Sequence, residues 1–429
     1  MKHALLVALA LTAGGLSAAD AENACDAWLR PMYGKLAYRD YTLVDRAART
    51  IEANAGGRRL NPAYPWAPLR GSVPSDGYFD GIWNWDAAFI AMGAVKWDAE
   101  FARDQFRIMA KVQQDDGKFP DVWRYKPEKW AGVFAGCSKP PVWGWAVWTL
   151  DKAAPDAQFR AEAYAALVKN AAFWETKRGG AKDGLFHYDG DPDIAEPGEK
   201  RDAQRKLFAG WETGWDDSPR WDGNAWNVYA IDLNCWMVLT YRSLRDLAEK
   251  LGKPEERAVW KDKAEKLSDA IRTRLWDAES ACFYDWNFKD SRFSRVLTPA
   301  SFMPLYIGIA TKEQATAMAK AAKRMTPGWP SVSYDDKTYD PMGYWRGRTW
   351  INIAYFAIRG LQYEGFADLA AEGREEMLKW MAADPSGIYE NYNSQNTLPA
   401  GFPHFGWSCT FAIKFVLDWN NSRAEEMPL

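Results

Sequence analysis

Six stretches of this 429-residue chain carry almost no charge, and a charged stretch follows each of them closely. The uncharged set is 87–95, 142–150, 233–240, 297–310, 349–358 and 407–418. A helix that is apolar nearly all round must be buried on most sides. The charged set is 41–55, 99–113, 157–178, 254–277, 312–325 and 366–384, where apolar residues recur at helical spacing, as in Phe101, Phe106, Met109 and Val112. Breaks such as 252–254 and 364–365 are too short for anything but a helical hairpin. With 41–55 pairing with the last buried helix, the pattern predicts six inner and six outer helices. That is an all-α fold, an (α/α)6 barrel built as a six-hairpin toroid. Strand signals are sparse and no linker composition divides the chain, so residues 22–429 are expected to form one domain.

The returns from outer to inner helices are long: 56–86, 114–141, 179–231, 278–296, 326–348 and 385–406. Short and long connections alternate, so all the long ones emerge at one end of the barrel. Long ordered loops in a compact domain are usually functional. The site is therefore expected in the pit at that end, floored by the N-terminal ends of the inner helices.

Several function classes are excluded early. A net charge of −3 offers no basic stripe for nucleic acid or an anionic membrane. Residues 1–21 have the form of a cleaved export signal, predicting a periplasmic or secreted protein. Lys2 and His3 precede an apolar run from Ala4 to Ala13, and Ala19-Asp20-Ala21 is a small-residue cleavage site. That run is too short to span a bilayer. Five cysteines without CxxC spacing give neither a zinc site nor a disulfide framework; Cys235 and Cys409 read as core, and one bridge among the others stays open. Beyond the leader only His187 and His404 remain, which leaves little room for Ser-His-Asp catalysis or histidine-ligated zinc. No GxSxG, P-loop or GxGxxG pattern occurs, and neither a cofactor nor a metal is expected.

What remains is carboxylate chemistry among aromatic rings. Residues 211–226 read WETGWDDSPRWDGNAW, four tryptophans and four acids in sixteen positions. Flat indole faces beside acids suit the stacking of a sugar ring and the protonation of a glycosidic oxygen. Similar clusters stand before other inner helices: GYFDGIWNWD (77–86), CSKPPVWGW (137–145), YWRGRTW (344–350), and GIYENYN (387–393) leading to HFGWS (404–408). Inverting glycoside hydrolysis needs one protonated carboxyl and one carboxylate across the sugar. Glu390 stands alone between Asp384 and the last inner helix and suits one role. Glu212, Asp216, Asp217 and Asp222 are all open for the other. Each loop acid is about as easily a helix cap or a salt-bridge partner, Asp86 as a cap and Arg346 as an ion-pair partner included.

At these residues the chain resembles glycoside hydrolase family 63, in particular its short mannosylglycerate-hydrolase-like members, and more distantly the trehalases. Five ordered motifs between Gly77 and Trp419 carry the resemblance. The most specific is ETGWDDSPRW (212–221), beside the family's E-S-G-x-D-x-S-x-R-W. The others are YWRGRTW (344–350), ENYN (390–393) with FGW (405–407), WNWD (83–86) and, in part, SKPPVW (138–143). The resemblance implies an inverting α-glycosidase with Asp216 as general acid and Glu390 as general base. It places Phe79, Trp83, Asn84, Trp85 and Asp86 around the sugar, and Gly214, Tyr344, Trp345 and Arg346 in contact with substrate. Lys139 stands where the family usually has Gln, which points to a changed subsite beyond the cleaved bond. The loop after ENYN also departs from the family's Pro-x-Thr-Gly, reading Ser394-Gln395-Asn396-Thr397.

The expected function is exo-acting hydrolysis of a small α-glucoside or α-mannoside, of the oligosaccharide or glycosylglycerate type, with a small carbohydrate as the only partner. Lys118, Arg124, Lys139 and Arg348 are candidates to hold an anionic group such as glycerate. Two alternatives stay open: a lyase or epimerase on the same barrel, drawing on His404, Tyr344 or Arg348, and a sugar-binding protein without turnover.

Overall fold

A computed structural model describes residues 23–55, 64–125, 132–221 and 224–429. The leader expected at 1–21 lies outside the described residues, as does Asp222. The uncharged stretches are helices that close into a ring: Asn84–Ala94, Trp143–Ala153, Ile231–Lys250, Met303–Tyr306, Ile351–Tyr363 and Gly406–Leu417, each packed on the next and the last on the first. Each of the six gives one large aromatic to the barrel axis: Phe89, Trp145, Trp236, Tyr306, Phe356 and Phe411. Their rings meet at centroid separations of 5.1–6.4 Å, edge-on or tilted apart from the stacked pair Trp145–Trp236. Uncharged sequence was required because this plug fills the middle of the molecule.

The amphipathic stretches form the outer layer: Tyr38–Ala55, Ala99–Lys111, Ala157–Lys177, Pro254–Arg274, Lys312–Ala321 and Ala367–Ala383. The fold is the (α/α)6 barrel read from the alternation.

The two layers begin their helices differently. Asp98, Asp156 and Thr311 cap outer helices with their side chains, accepting from the amides of Phe101, Phe159 and Gln314. Inner helices start on Trp83, Val142, Ala230, Trp350 and Phe405, none of which caps with a side chain. Their first amides are satisfied by the loops instead. Asn84 N–H donates to the Asp121 carbonyl, Gly406 N–H to that of Pro74, and Ile231 N–H to the Asp285 carboxylate. The loop end is thereby tied to the barrel, which gives a rigid base for a site.

Two expectations need correction. The stretch 297–310 is not one inner helix. It is a 3-10 turn, Pro299–Phe302, then the four-residue helix Met303–Tyr306, because two prolines remove amide donors and Gly308 ends the helix at φ 71°. The connection 179–231 is not all loop either: Glu199–Thr213 is a four-turn helix. Its polar, charged sequence lacks a core-facing stripe because only one flank packs on the molecule. The remaining loops hold short antiparallel strands, among them Gly81–Trp83, Val122–Arg124 and Gly132–Phe134 in one sheet. All five cysteines are buried and unpaired, so the bridge left open by the sequence does not form.

Candidate active site

Asp216 is held by a turn with two clamped ends. The Glu199–Thr213 helix stops at Gly214, whose φ of 70° is left-handed. A Cβ at that position would lie 2.6 Å from the Trp85 ring, so close packing demands glycine as well. On one side the fully buried Glu212 accepts two bonds from the Arg178 guanidinium, both 2.8 Å, and the amides of Ser138 and Asp189. On the other side Arg220 binds Asp285 at 2.7 and 2.8 Å and Asp232 at 2.6 Å, with its guanidinium over the Trp215 and Trp221 rings. Glu212 is thus committed to structure. Asp217 is committed too, accepting the Trp345 amide at 2.7 Å.

Glu390 comes from a different loop. Its Oε1 accepts the Tyr344 hydroxyl at 2.6 Å, and its own amide donates to the Phe402 carbonyl at 2.9 Å. Gly401 (φ 69°) passes so close that a Cβ there would clash with Glu390 Oε2.

Both carboxyls open into one cavity of about 140 Å³. Its aromatic walls interlock: Trp345 stacks on Trp350 at 3.6 Å, Trp85 meets Trp407 edge-on at 5.2 Å, and Phe79 meets Trp83 at 5.0 Å. Trp85 and Trp407 rest on Phe89, so the axial plug is the cavity's foundation. The Nε1 of Trp407 is buried without a protein partner.

Of the residues predicted for the site, Phe79, Trp83, Trp85, Asp86, Lys139, Gly214, Asp216, Tyr344, Trp345 and Glu390 line this cavity. Two do not. The Asn84 amide turns away, donating to the Pro120 carbonyl at 3.0 Å. Arg346 lines a second cavity on the other side of Asp216 and bonds the Asp217 carbonyl. Nor do the tryptophans of 211–226 wall the sugar-sized cavity: Trp215 is core, Trp211 and Trp221 face the second cavity, and Trp226 lies under Arg205.

The cations proposed for an anionic group each have partners within the protein. Lys118 pairs with Asp191 at 2.6 Å, Arg124 lies over Trp83, and Arg348 donates to Asn391 and the Met342 carbonyl. Lys139 donates to the Trp211 carbonyl and pairs with Asp121 at 3.4 Å. Asp121 is the acid that motif reading missed. Its signal was the same pairing of acid and indole, Asp121 beside Trp123, that marked the other loops. Phe405 and Trp407 also line the cavity, although only their motif had been noted.

Burial dominates the electrostatics. It raises the Asp86 carboxyl well above its ordinary value; Lys139 opposes this, while Glu390 and Asp121 add to it. Desolvation pushes Asp121 up to about 6 and Glu390 up to about 7. Asp216 is reached by solvent because it borders two cavities, yet the surrounding protein still raises its carboxyl above the usual range, against the nearby Lys139. Burial disfavours the Lys139 charge, but Asp121 and then Asp216 more than offset it, so the ammonium is held. One cation therefore stands among carboxyls whose hold on a proton burial has strengthened.

Residues 79–408 match the family model of the mannosylglycerate hydrolase MGH1-like glycoside hydrolase domain. The chain belongs to this family. It is a glycoside hydrolase. The mannosylglycerate hydrolase MGH1 of Selaginella moellendorffii is 24% identical over 416 residues, spanning 80% of this chain and 82% of that one. A mannosylglycerate hydrolase of Thermus thermophilus is 24% identical over 426 residues, spanning 80% and 95%. Among solved structures, a family 63 mannosylglycerate hydrolase from the same species, in complex with glucose, has a TM-score of 0.71 at 22% identity, over 88% of this chain and 100% of that one. The neutral trehalase Nth1 of Saccharomyces cerevisiae gives 0.66 at 21% identity, over 83% and 74%. Among the described residues of the enzyme no helix is long and apolar enough to cross a membrane.

Proposed function

We propose that the enzyme is an inverting, exo-acting α-glycosidase that removes one α-glucose or α-mannose from the end of a small glycoside. The observation that carries the reading is the convergence of Asp216 and Glu390, from separate loops, on one aromatic-walled cavity. Asp216 gives its proton to the glycosidic oxygen as the bond to the anomeric carbon breaks. Glu390 takes a proton from water as the new carbon–oxygen bond forms on the opposite face. Afterwards Glu390 loses that proton to solvent and Asp216 regains one. Burial raises the Asp216 carboxyl, which favours its protonated form, and the Tyr344 hydroxyl donates to Glu390, which favours its carboxylate. Asp86, low in the cavity, serves to grip sugar hydroxyls, with Trp83 and Trp345 as stacking faces.

A lyase reading has less support. The Tyr344 hydroxyl donates to Glu390 and is pushed far above the ordinary phenol value by burial, so it is a poor base. His404 and Arg348 do not line the cavity.

The test is proton NMR during hydrolysis of α-glucosides and α-mannosides, glucosylglycerate and mannosylglycerate included. Early release of the β-anomer is expected, with Asp216→Asn and Glu390→Gln each lowering kcat by about 10³-fold or more in folded protein. First release of the α-anomer, or a fully active Asp216→Asn, would overturn the assignment. Export rests on Lys2, the apolar run and Ala19-Asp20-Ala21; an N-terminus at Glu22 in the mature protein is the expected finding.

A further inference from the structure

Asp216 borders two cavities. The sugar-sized one holds about 140 Å³, whereas the other, which shares Asp216 with it, holds about 570 Å³. On the reading that the small cavity takes one sugar ring, the larger has room for several times as much. A three-carbon acid such as glycerate would leave most of it empty.

Its walls are mainly apolar and are built by the helix that sequence reading missed. Ala203, Lys206, Leu207 and Gly210 fall at i, i+3, i+4 and i+7 of Glu199–Thr213, so they share one helix face. On that face Ala203, Lys206 and Leu207 are exposed. Leu207 is 49% exposed, while the neighbouring Phe208 packs on Phe134 and Trp211 and is buried. Gly210 lets the helix run close to the Asp216 carbonyl, where a Cβ would meet the oxygen at 3.1 Å. Trp211 and Trp221 supply indole surface across the cavity. Beyond Pro219 and Trp221, which it shares, a third cavity of about 400 Å³ continues the path.

Lys206 and Arg346 face Asp216 and Asp217 in the second cavity. In the third, Arg295 is paired with Asp277 and Glu279, Arg324 with Asp335 and Arg292 with Asp290, and Lys337 and Asp336 also line it. Apart from these charges the walls of the second cavity are mainly apolar, so the apolar faces of neutral sugar rings would find indoles and aliphatic wall.

We infer that the Ala203–Leu207–Gly210 face, with Trp211 and Trp221, is a leaving-group cleft for a neutral α-linked oligosaccharide of at least two further sugar units. The inference rests on the hydrolase reading above and names the substrate class of that same site.

The experiment compares kcat/KM on the α-glycosyl fluoride, the glycosylglycerate, and the α-linked disaccharide and trisaccharide of the cleaved sugar. The fluoride needs no leaving-group cleft and little help from the acid, and so reports the base and the sugar cavity alone. The trisaccharide is expected to exceed both the disaccharide and the glycosylglycerate by about tenfold. Ala203→Trp, at an exposed helix position, fills the cleft and should lower the trisaccharide-to-fluoride ratio about tenfold. Leu207→Asp should lower it in the same direction. A glycosylglycerate that matches or beats the trisaccharide, or an unchanged ratio in both variants, overturns the inference. Failure of the folded enzyme to turn over even the fluoride overturns the hydrolase mechanism itself, which is a different result from turnover without length preference.

Discussion

Glu390 shows what the site costs the fold. Its carboxyl has an ordinary value of 4.5 and is pushed up to about 7, first by burial. Between those values the folded chain keeps a proton that the unfolded chain has already released. Stability therefore falls as pH rises through this window, and the penalty is complete above it, at about 3 kcal/mol. Glutamine carries no such penalty. Glu390→Gln is expected to melt a few degrees above the parent at about pH 8 and together with it at about pH 4, while losing activity. Thermal melts at the two pH values check this; a lower melting point for the variant at about pH 8 would sink it. At this scale most of the residues that line the cavity are legible in the sequence, whereas the choice among neighbouring acids is not. Glu212 and Asp216 are equally acidic and four residues apart, and only tertiary partners separate them: Arg178 engages one, and a cavity receives the other. Asn84 sits inside a matching motif yet turns to the Pro120 carbonyl, and Arg346 lines the second cavity and not the first, because a motif fixes residue types and not side-chain directions.

At the scale of elements, the alternation of uncharged and amphipathic stretches was enough for eleven of the twelve barrel helices, since periodicity reports directly on burial. The failures have local causes. Prolines broke up 297–310, and Glu199–Thr213 hid because one flank packs while another faces a cavity, so no apolar stripe separates cleanly from a polar one. That helix matters because its end sets the acid. Gly214 combines a left-handed backbone with contact against Trp85, one residue from Asp86. Gly214→Ala must therefore move either the turn carrying Asp216 or the indole at the cavity floor. Backbone strain alone costs about 1–2 kcal/mol, and a displacement of about 1 Å at the acid is worth about 10²-fold in rate. The expected outcome is a kcat loss of that size with KM little changed, measured on the fluoride and a natural glycoside together. Wild-type kcat in this variant would show that the turn tolerates displacement.

For the whole molecule, the aromatic plug divides the barrel into two ends of opposite character. Above it lies the cavity. Below it, one further turn along the inner helices, Lys414 and Arg359 are buried charges that the ring cannot neutralise by itself. The short C-terminal helix Arg423–Glu426 brings the missing carboxylate. Glu426 Oε2 meets Lys414 Nζ at 2.7 Å and the Tyr355 hydroxyl at 3.1 Å, its Oε1 stands 3.8 Å from Arg359, and its carbonyl accepts Trp145 Nε1 at 2.7 Å. Asp418 gives Lys414 a second partner at 3.2 Å but is itself shared with Lys96. Removing one member of such a buried pair leaves its partner charged in a dry place, at a cost of about 3–5 kcal/mol. Glu426→Ala is thus expected to lower the melting temperature markedly, and Glu426→Gln to lower it less, since the amide still accepts from Lys414. The sugar cavity lies on the far side of the plug, so kcat at about 25 °C should match the parent in both variants. Melts paired with single-temperature kinetics test this division. A loss of kcat without a loss of stability would mean that the plug transmits the state of one end to the other, and that the barrel is not the rigid partition its packing describes.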